Sequence, residues 1–278
     1  PDGHTEFHQP DLIDSIVELA DVQDHKPATT PFHSRFTPFT DADKVTDPAE
    51  RKHLLLDRFP YRTLIGKLMY LRRCTRHVQA CYGPAHSIAL LHLCAYLKTT
   101  RNHKLVFRND YDLGKTTPLF ATMDSSHATA PDGKSVSAFC VYLYGCLIYS
   151  YSKKQTCVAL NSCEAEFIAA SDCAKQLAFI VRVCRGFGLA IPNPTPMLED
   201  NQAAIYLSEK ATLNNPRTRH MNVRYHWLLE RVQGGEFKLW YVDTENQVAD
   251  VITKNAKSHV HKRLVPLLLG HQPILNDA

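Results

Sequence analysis

Asp124, Glu166, Asp200 and Asp250 are the residues of this chain whose type and placement could do chemistry. Hydrolysis of a phosphodiester by water calls for two divalent cations roughly 3.5–4 Å apart, one activating the water and one steadying the departing oxygen. Mg²⁺ takes hard oxygen ligands, so such a site needs carboxylates converging from several elements, best at strand ends where the backbone is rigid. Asp124 closes a short apolar run, Glu166 falls in the first turn of a long helical pattern, Asp200 closes a second short run, and Asp250 opens the last helical stretch. Glu164 competes with Glu166 for the helix position. The apolar stripe Phe167, Ala170, Ala174, Leu177, Val181 and Cys184 decides between them: Glu166 lies roughly 60° from its centre and Glu164 roughly 100° away, at about 100° per residue. Glu166 is therefore the better ligand, and Glu164 reads as a solvated first-turn acid favoured by the helix dipole. Spacing alone leaves open the alternative that all four acids are ordinary strand-end and helix-start groups.

The elements that must position these acids follow from the patterning. Residues 119–124 form a short apolar strand, 136–144 and 147–151 a hairpin turning at Gly145, and 163–184 a long helix stopped by Gly186 and Gly188. Then come a strand at 197–200, a helix at 202–210, a helix at 219–232, a strand at 237–242 and a helical region from Val248 onward. Three strands followed by alternating helix and strand predict an α/β domain whose mixed sheet carries helices on its faces. Before it, an apolar pattern at 12–20, a Pro- and Thr-rich linker at 24–47 and helices from Pro60 and over 85–97 predict a smaller, mainly helical domain, with the two later helices as neighbours. Turn-formers and charge near 109–118 place the boundary, giving domains 1–112 and 113–278.

Bulk properties narrow the class. An apolar content of 44% with 32 basic and 28 acidic side chains is that of a globular chain, and a net charge of +4 permits a nucleic-acid partner without demanding one. Nine cysteines with no C-x-x-C pair, most inside apolar runs, read as reduced and packed. Beginning at Pro1 with no leader, the chain reads as part of something longer, and an intracellular setting, cytoplasmic in a virus-like particle or nuclear, is expected. The uncharged stretch 135–152 is broken by Gly145 and rich in aromatic and β-branched residues, which suits two strands rather than a membrane span.

The words of the sequence carry a resemblance. YSKKQTCVALNSCEAEFIAAS (151–171) resembles the SSKKQ-x-x-VALSS-TEAEY-x-AAS signature of copia-type retrotransposon ribonuclease H domains. LEDNQAAI (198–205), PRTRHMNVRYHWLLERV (216–232) and VDTENQVADVITK (242–254) agree in the same order. FPYRTLIGKLMYL (59–71) and CAYLKTT (94–100) are similar to the segment linking that family's polymerase to its nuclease, and HKPATTPF (25–32) to the segment before it. The resemblance implies a ribonuclease H-like mixed five-stranded sheet flanked by helices, preceded by a remnant of the reverse transcriptase thumb and connection region. It implies a two-metal nuclease that cuts the RNA strand of RNA:DNA hybrids with Mg²⁺ or Mn²⁺, alongside the upstream polymerase domain of the same polyprotein. Asp124, Glu166, Asp200 and Asp250 match the family's metal-binding acids. Ser162 and Gln202 match positions that touch the minor groove, and Ser125, Lys153, Lys154, Asn201, Arg217, Arg219 and His220, in or beside the matched words, complete the expected nucleic-acid contacts. Departures are also present: the family's D-A-D-W is here Asp124-Ser125-Ser126-His127, the chain is short between Arg76 and Ala85, and Trp240 and Tyr241 stand near the position of the mobile histidine of many ribonucleases H. Proton delivery to the leaving group thus has no assigned side chain.

Other signals are decoys or alternatives. Tyr241-Val242-Asp243-Thr244 echoes a polymerase box but lacks its second aspartate and follows the nuclease helix. Cys74, Cys81, His86, His92 and Cys94 fit no zinc-finger spacing and read as packing. Basic clusters at 58–76 and 98–108 could follow backbone phosphates or could be solvated helix faces. The competing functions are a catalytically silent or host-adopted copy that binds nucleic acid, and an integrase-like DNA-cutting enzyme. The second is opposed by the order Asp, Glu, Asp, Asp, because such enzymes place the glutamate last.

Overall fold

A two-residue turn sets the register of one side of the sheet. Tyr144 and Gly145 both take left-handed backbone, with φ of 50° and 73°, the conformation that matches the twist of a tight hairpin and that glycine adopts without strain. On either side Leu143 pairs with Cys146, and the ladder runs antiparallel down to Val136 and Lys154. The uncharged stretch considered as a membrane span is this hairpin, and no helix among the described residues is long and apolar enough to cross a membrane.

The computed structural model describes residues 4–32, 41–53, 60–71, 83–108, 117–210, 223–254, 256–272 and 274. In chain order its elements are β1 (Thr5–Phe7), α1 (Pro10–Ala20), α2 (Pro48–His53), α3 (Tyr61–Leu71), α4 (Pro84–Thr99), β2 (Leu105–Phe107), β3 (Leu119–Ser126), β4 (Val136–Leu143), β5 (Cys146–Lys154), α5 (Ser162–Gly186), β6 (Thr195–Glu199), α6 (Gln202–Lys210), α7 (Val223–Gln233), β7 (Phe237–Tyr241), α8 (Asp250–Thr253) and α9 (Ser258–Leu268). Two compact units divide them. One comprises Pro1–Glu6, Leu105–Lys254 and Lys262–Ala278, the other Phe7–Lys104 and Asn255–His261. The boundary expected between 112 and 113 falls outside the described residues.

The larger unit holds the expected ribonuclease H-like mixed sheet, in the order β5-β4-β3-β6-β7. β3, β4 and β5 are antiparallel neighbours, whereas β6 joins β3 in parallel and β7 joins β6 in parallel. Parallel pairing needs a crossover, which α5 provides between β5 and β6 and α6 with α7 between β6 and β7. β3 is buried along its whole length because both faces are covered. Leu119, Ala121 and Met123 face a core shared with Phe167, Ala170, Ala174, Leu177 and Val181 of α5 and with Leu228 and Leu229 of α7. On the other face Phe120 packs with Cys140, Tyr142 and Leu198, beside Ile252 and Leu268.

The smaller unit is helical, as expected. Ile13, Ile16 and Val17 of α1 form a core with Leu64, Ile65 and Leu68 of α3 and Leu90, Leu93 and Cys94 of α4. The cluster is organised on α1, which packs on both later helices. Several cations considered for phosphate tracking are engaged inside this unit instead. Lys98 donates to the carbonyls of Val22, Gln23 and His25 at 3.2, 2.6 and 2.9 Å, Arg101 pairs with Asp14 at 2.5 Å, and Lys67 donates to Ser15 at 2.8 Å. Nor do the described members of the Cys/His set converge. His86 accepts from the Gly83 amide at 3.2 Å to cap α4, and burial pushes the Cys94 thiol up to about 12.

Candidate active site

Asp124 sits six residues into the central strand, with 1% of its side chain exposed. The parallel register Ala121↔Met197 and Thr122↔Leu198, carried two residues further, sets Asp124 level with Asp200, the first residue beyond β6. The strand predicted to end at Asp200 ends at Glu199, so Asp200 leaves the sheet where β3 and β6 part, a position where a carboxylate can be half-buried yet turn toward solvent.

Glu166 comes from the first turns of α5, and three contacts fix that end of the helix. Asn161 caps it by accepting from the Glu164 amide at 2.9 Å, and Glu164 reaches back to accept from the Leu160 amide at 2.7 Å. Glu164 thus closes the helix start in the manner of a capping box. It is not the merely solvated acid expected, since its oxygen has a backbone donor within reach. The third contact is buried: Gln155 donates to Ser137 Oγ at 2.8 Å and to the Ala165 carbonyl at 2.9 Å, tying the helix to β4 just before Glu166.

Asp250 is brought in by another buried glutamine. Gln247 donates to the Met123 carbonyl of β3 at 2.8 Å and the Leu198 carbonyl of β6 at 3.3 Å, bridging the two strands one residue short of Asp124 and Glu199. Three residues later α8 opens with Asp250. Thr253 donates to Asp124 Oδ2, and Lys254 Nζ lies 3.1 Å from Asp124 Oδ1 and 2.8 Å from Asp250 Oδ1.

The electrostatics show how crowded the acids are. Burial, with the Asp250 charge added and Lys254 opposing, raises Asp124 to about 7. Burial followed by the charges of Glu199 and Asp124 raises Glu166 to about 10, with Asp200 also contributing. Glu199, fully buried at the end of β6, is raised to about 8 by burial, against the backbone amide of Asn201 that donates to it at 2.9 Å. Asp124 is thus the hub: it senses Asp250 on one side, while Glu166 and Glu199 sense it on the other.

Two features bear on whether a hard divalent cation fits. The donors are oxygens only, and Glu166 Oε2 and Glu199 Oε2 are buried with no hydrogen-bond partner among the described residues, so uncompensated acceptors are gathered at one strand end. As the side chains stand, no three Asp, Glu, His or Cys among the described residues close on a single ion position. Lys254 instead supplies positive charge between Asp124 and Asp250. The donor chemistry fits the cation, and the lysine stands where charge is needed.

The expected nucleic-acid contacts are distributed unevenly. Ser162 and Gln202 are exposed at the first positions of α5 and α6, and Lys153 is exposed on β5. Lys154 is paired with Asp132 at 2.9 Å, Ser125 is buried on β3, and Asn201 accepts from the Ala204 amide at 3.1 Å as the cap of α6. Arg217, Arg219 and His220 lie outside the described residues. Sequence reasoning missed Glu199, Gln155, Gln247, Thr253 and Lys254. All five lie inside words already quoted, and Asp250 to Lys254 is the i to i+4 spacing that pairs charges on a helix. Glu199 had a weaker signal, an acid at the inward phase of an apolar strand.

No protein-family model matches the chain. Three curated plant relatives do. It is 29% identical over 261 residues to the retrovirus-related Pol polyprotein from transposon TNT 1-94 of Nicotiana tabacum, covering 88% of this chain and 19% of that protein. It is 30% identical over 241 residues to the Pol polyprotein from transposon RE1 of Arabidopsis thaliana, covering 82% and 15%. The polyprotein from transposon RE2 of the same plant is 29% identical over 229 residues, covering 78% and 15%. The chain therefore spans less than a fifth of the length of each of these relatives. Among solved structures, a ribonuclease H1 isolated from compost aligns with 54% of this chain and 99% of its own, at 9% identity and a TM-score of 0.38. A foamy viral protease-reverse transcriptase in complex with dsDNA aligns with 82% and 44%, at 13% identity and a TM-score of 0.30. Both scores are low, and the fold assignment rests on the sheet order itself.

Proposed function

The chain belongs to the copia-type retrotransposon Pol polyproteins, and from that premise we propose that its larger unit is a metal-dependent ribonuclease H hydrolysing the RNA strand of RNA:DNA hybrids during reverse transcription. Membership and a ribonuclease H-like sheet support a nuclease role. The finer reading is carried by one observation: Asp124, buried on the central strand, with Glu166, Asp200 and Asp250 drawn around it from three other segments.

In this reading Asp124, Glu166, Asp200 and Asp250 hold two Mg²⁺ ions, which when bound supply charge to activate water and to offset the negative charge on the departing oxygen. The residues of the chain do the rest. Gln247, joining two strand carbonyls, and Gln155, joining the Ser137 hydroxyl to the Ala165 carbonyl, keep the acids in register, so little reorganisation is needed when substrate arrives. The N-terminal turns of α5 and α6 present amides toward a phosphate backbone. Ser162 and Gln202 read the 2′-hydroxyls that only RNA supplies, and Lys153 contributes charge to the same backbone. The hybrid and the polymerase domain of the same polyprotein are the proposed partners, and the virus-like particle or the nucleus the proposed setting.

Incubation of the protein with Mg²⁺ and a hybrid labelled on either strand tests this. The RNA strand should shorten to fragments with 5′-phosphate and 3′-hydroxyl ends, while the DNA strand and duplex DNA stay intact. Cutting of the DNA strand would count against the assignment. The Lys254 contacts favour one competing reading, a silent nucleic-acid-binding copy, which predicts tight hybrid binding by wild type with no cleavage at any Mg²⁺ concentration.

A further inference from the structure

Lys254 is the cation that the described structure places against the acids of this site, and its surroundings differ sharply from theirs. Asp124 is 1% exposed and Asp250 13%, whereas the Lys254 side chain is 40% exposed. Its ammonium touches Asp124 Oδ1 and Asp250 Oδ1 at 3.1 and 2.8 Å, so one positive charge already lies in direct contact with both carboxylates. The residues of that pair are not free to leave: Asp124 is held on β3 and accepts from Thr253, and Asp250 opens the helix that Gln247 anchors. The lysine alone stands on a flexible four-carbon stem that begins beyond the last helical residue, Thr253, and reaches in from solvent. A second cation brought to the same oxygens would lie within a few ångströms of the ammonium, where like charges repel strongly in partly buried surroundings. Both cannot hold the pair at once.

We propose that Lys254 is an exchangeable counter-ion, whose ammonium competes with a divalent cation for the Asp124–Asp250 pair and so sets the cation concentration at which the site fills. This rests on the metal-nuclease reading above, and goes beyond it by assigning a residue outside the acids the task of gating the ion. The lysine keeps the buried Asp124 charge compensated before substrate and cation arrive, then swings into solvent as they take its place.

The test is direct Mn²⁺ binding to the full 278-residue chain, followed by calorimetry and by the loss of the free-ion resonance, for wild type, Lys254→Met, Lys254→Arg and Asp124→Asn. Lys254→Met should bind Mn²⁺ roughly tenfold tighter than wild type, because one competing unit charge is gone. Lys254→Arg, which keeps the charge, should stay close to wild type, and Asp124→Asn should lose the binding. Equal or weaker binding by Lys254→Met, with Asp124→Asn still impaired, overturns the competition and leaves the metal site standing. No saturable binding by any of the proteins overturns the metal site and the competition together. Should Lys254→Met fail to fold, the wild-type protein still decides the matter: with lysine side chains isotopically labelled, the Lys254 ammonium signal should shift on addition of Mg²⁺ as it leaves the two carboxylates. A Lys254 signal that stays in place at saturating Mg²⁺ refutes the exchange.

Discussion

Buried acids whose protons are held too tightly give the site a pH signature that can be measured without substrate. Asp124, Glu199 and Glu166 are raised to about 7, 8 and 10, above their ordinary values near 4. The folded protein therefore binds more protons than the unfolded chain over that interval, and its stability must fall as pH rises. In a chelator, the melting temperature should decline from about pH 5 to pH 8, and Mg²⁺ should restore part of the loss at the upper end by binding the folded form. A profile that climbs across this range contradicts the burial of uncompensated carboxylates. Glu199→Gln removes one of them while keeping an oxygen for the Asn201 amide. It should flatten the decline and raise the melting temperature at pH 8 by about 2–4 °C, the shift expected for roughly 1 kcal/mol in a domain of this size. At the helix start, Glu164→Gln should cut hybrid nearly as well as wild type, because an amide oxygen can still accept from Leu160, whereas Glu166→Gln should lose about 100-fold or more, since losing an acid that holds an ion costs at least as much as losing a partner that only orients one. A dead Glu164→Gln beside a live Glu166→Gln would reverse the assignment of faces.

Elements position these acids through two glutamines, and removing either should be felt far from the chemistry. Gln247→Ala leaves the Met123 and Leu198 carbonyls without their buried donor and removes one of the ties between α8 and the sheet. The cost should be about 1–3 kcal/mol, read by denaturant unfolding, with a cleavage loss of about 10–100-fold. An unchanged unfolding midpoint would show that α8 is held by other means. Element types and order were legible in the sequence because the apolar period changes from strand to helix where the chain does, as in the run from Leu119 through the Gly145 turn to the α5 stripe. Ends were read less well. β3 continues two residues past Asp124 to Ser126, since Ser125 and Ser126 are polar and give no periodic signal although both are buried. Glu199 was hidden by Asp200 beside it, the residue the matched word singles out. Gln155 and Gln247 look like surface amides in a linear sequence, and only the meeting of α5 with β4, and of β3 with β6, turns them into buried bridges.

At the scale of the molecule, the central strand owes its burial to two unequal cores. The larger, under α5 and α7, holds the sheet; the smaller, around Phe120, Tyr142 and Leu198, carries α8 and with it Asp250 and Lys254. Among the described residues, the helical unit spends Lys98, Arg101 and Lys67 on its own closure, while Lys153 stands exposed on the sheet unit. The acids at the strand ends are where the two cores and the helix starts meet. Single-turnover cleavage of a labelled RNA:DNA hybrid by wild type and Asp124→Asn, with hybrid binding recorded in parallel, tests the nuclease proposal most directly. Wild type should cut the RNA strand in Mg²⁺, and Asp124→Asn should bind the hybrid without cutting it. Cleavage by Asp124→Asn at the wild-type rate, or a wild-type protein that grips the hybrid and leaves it whole, would contradict it.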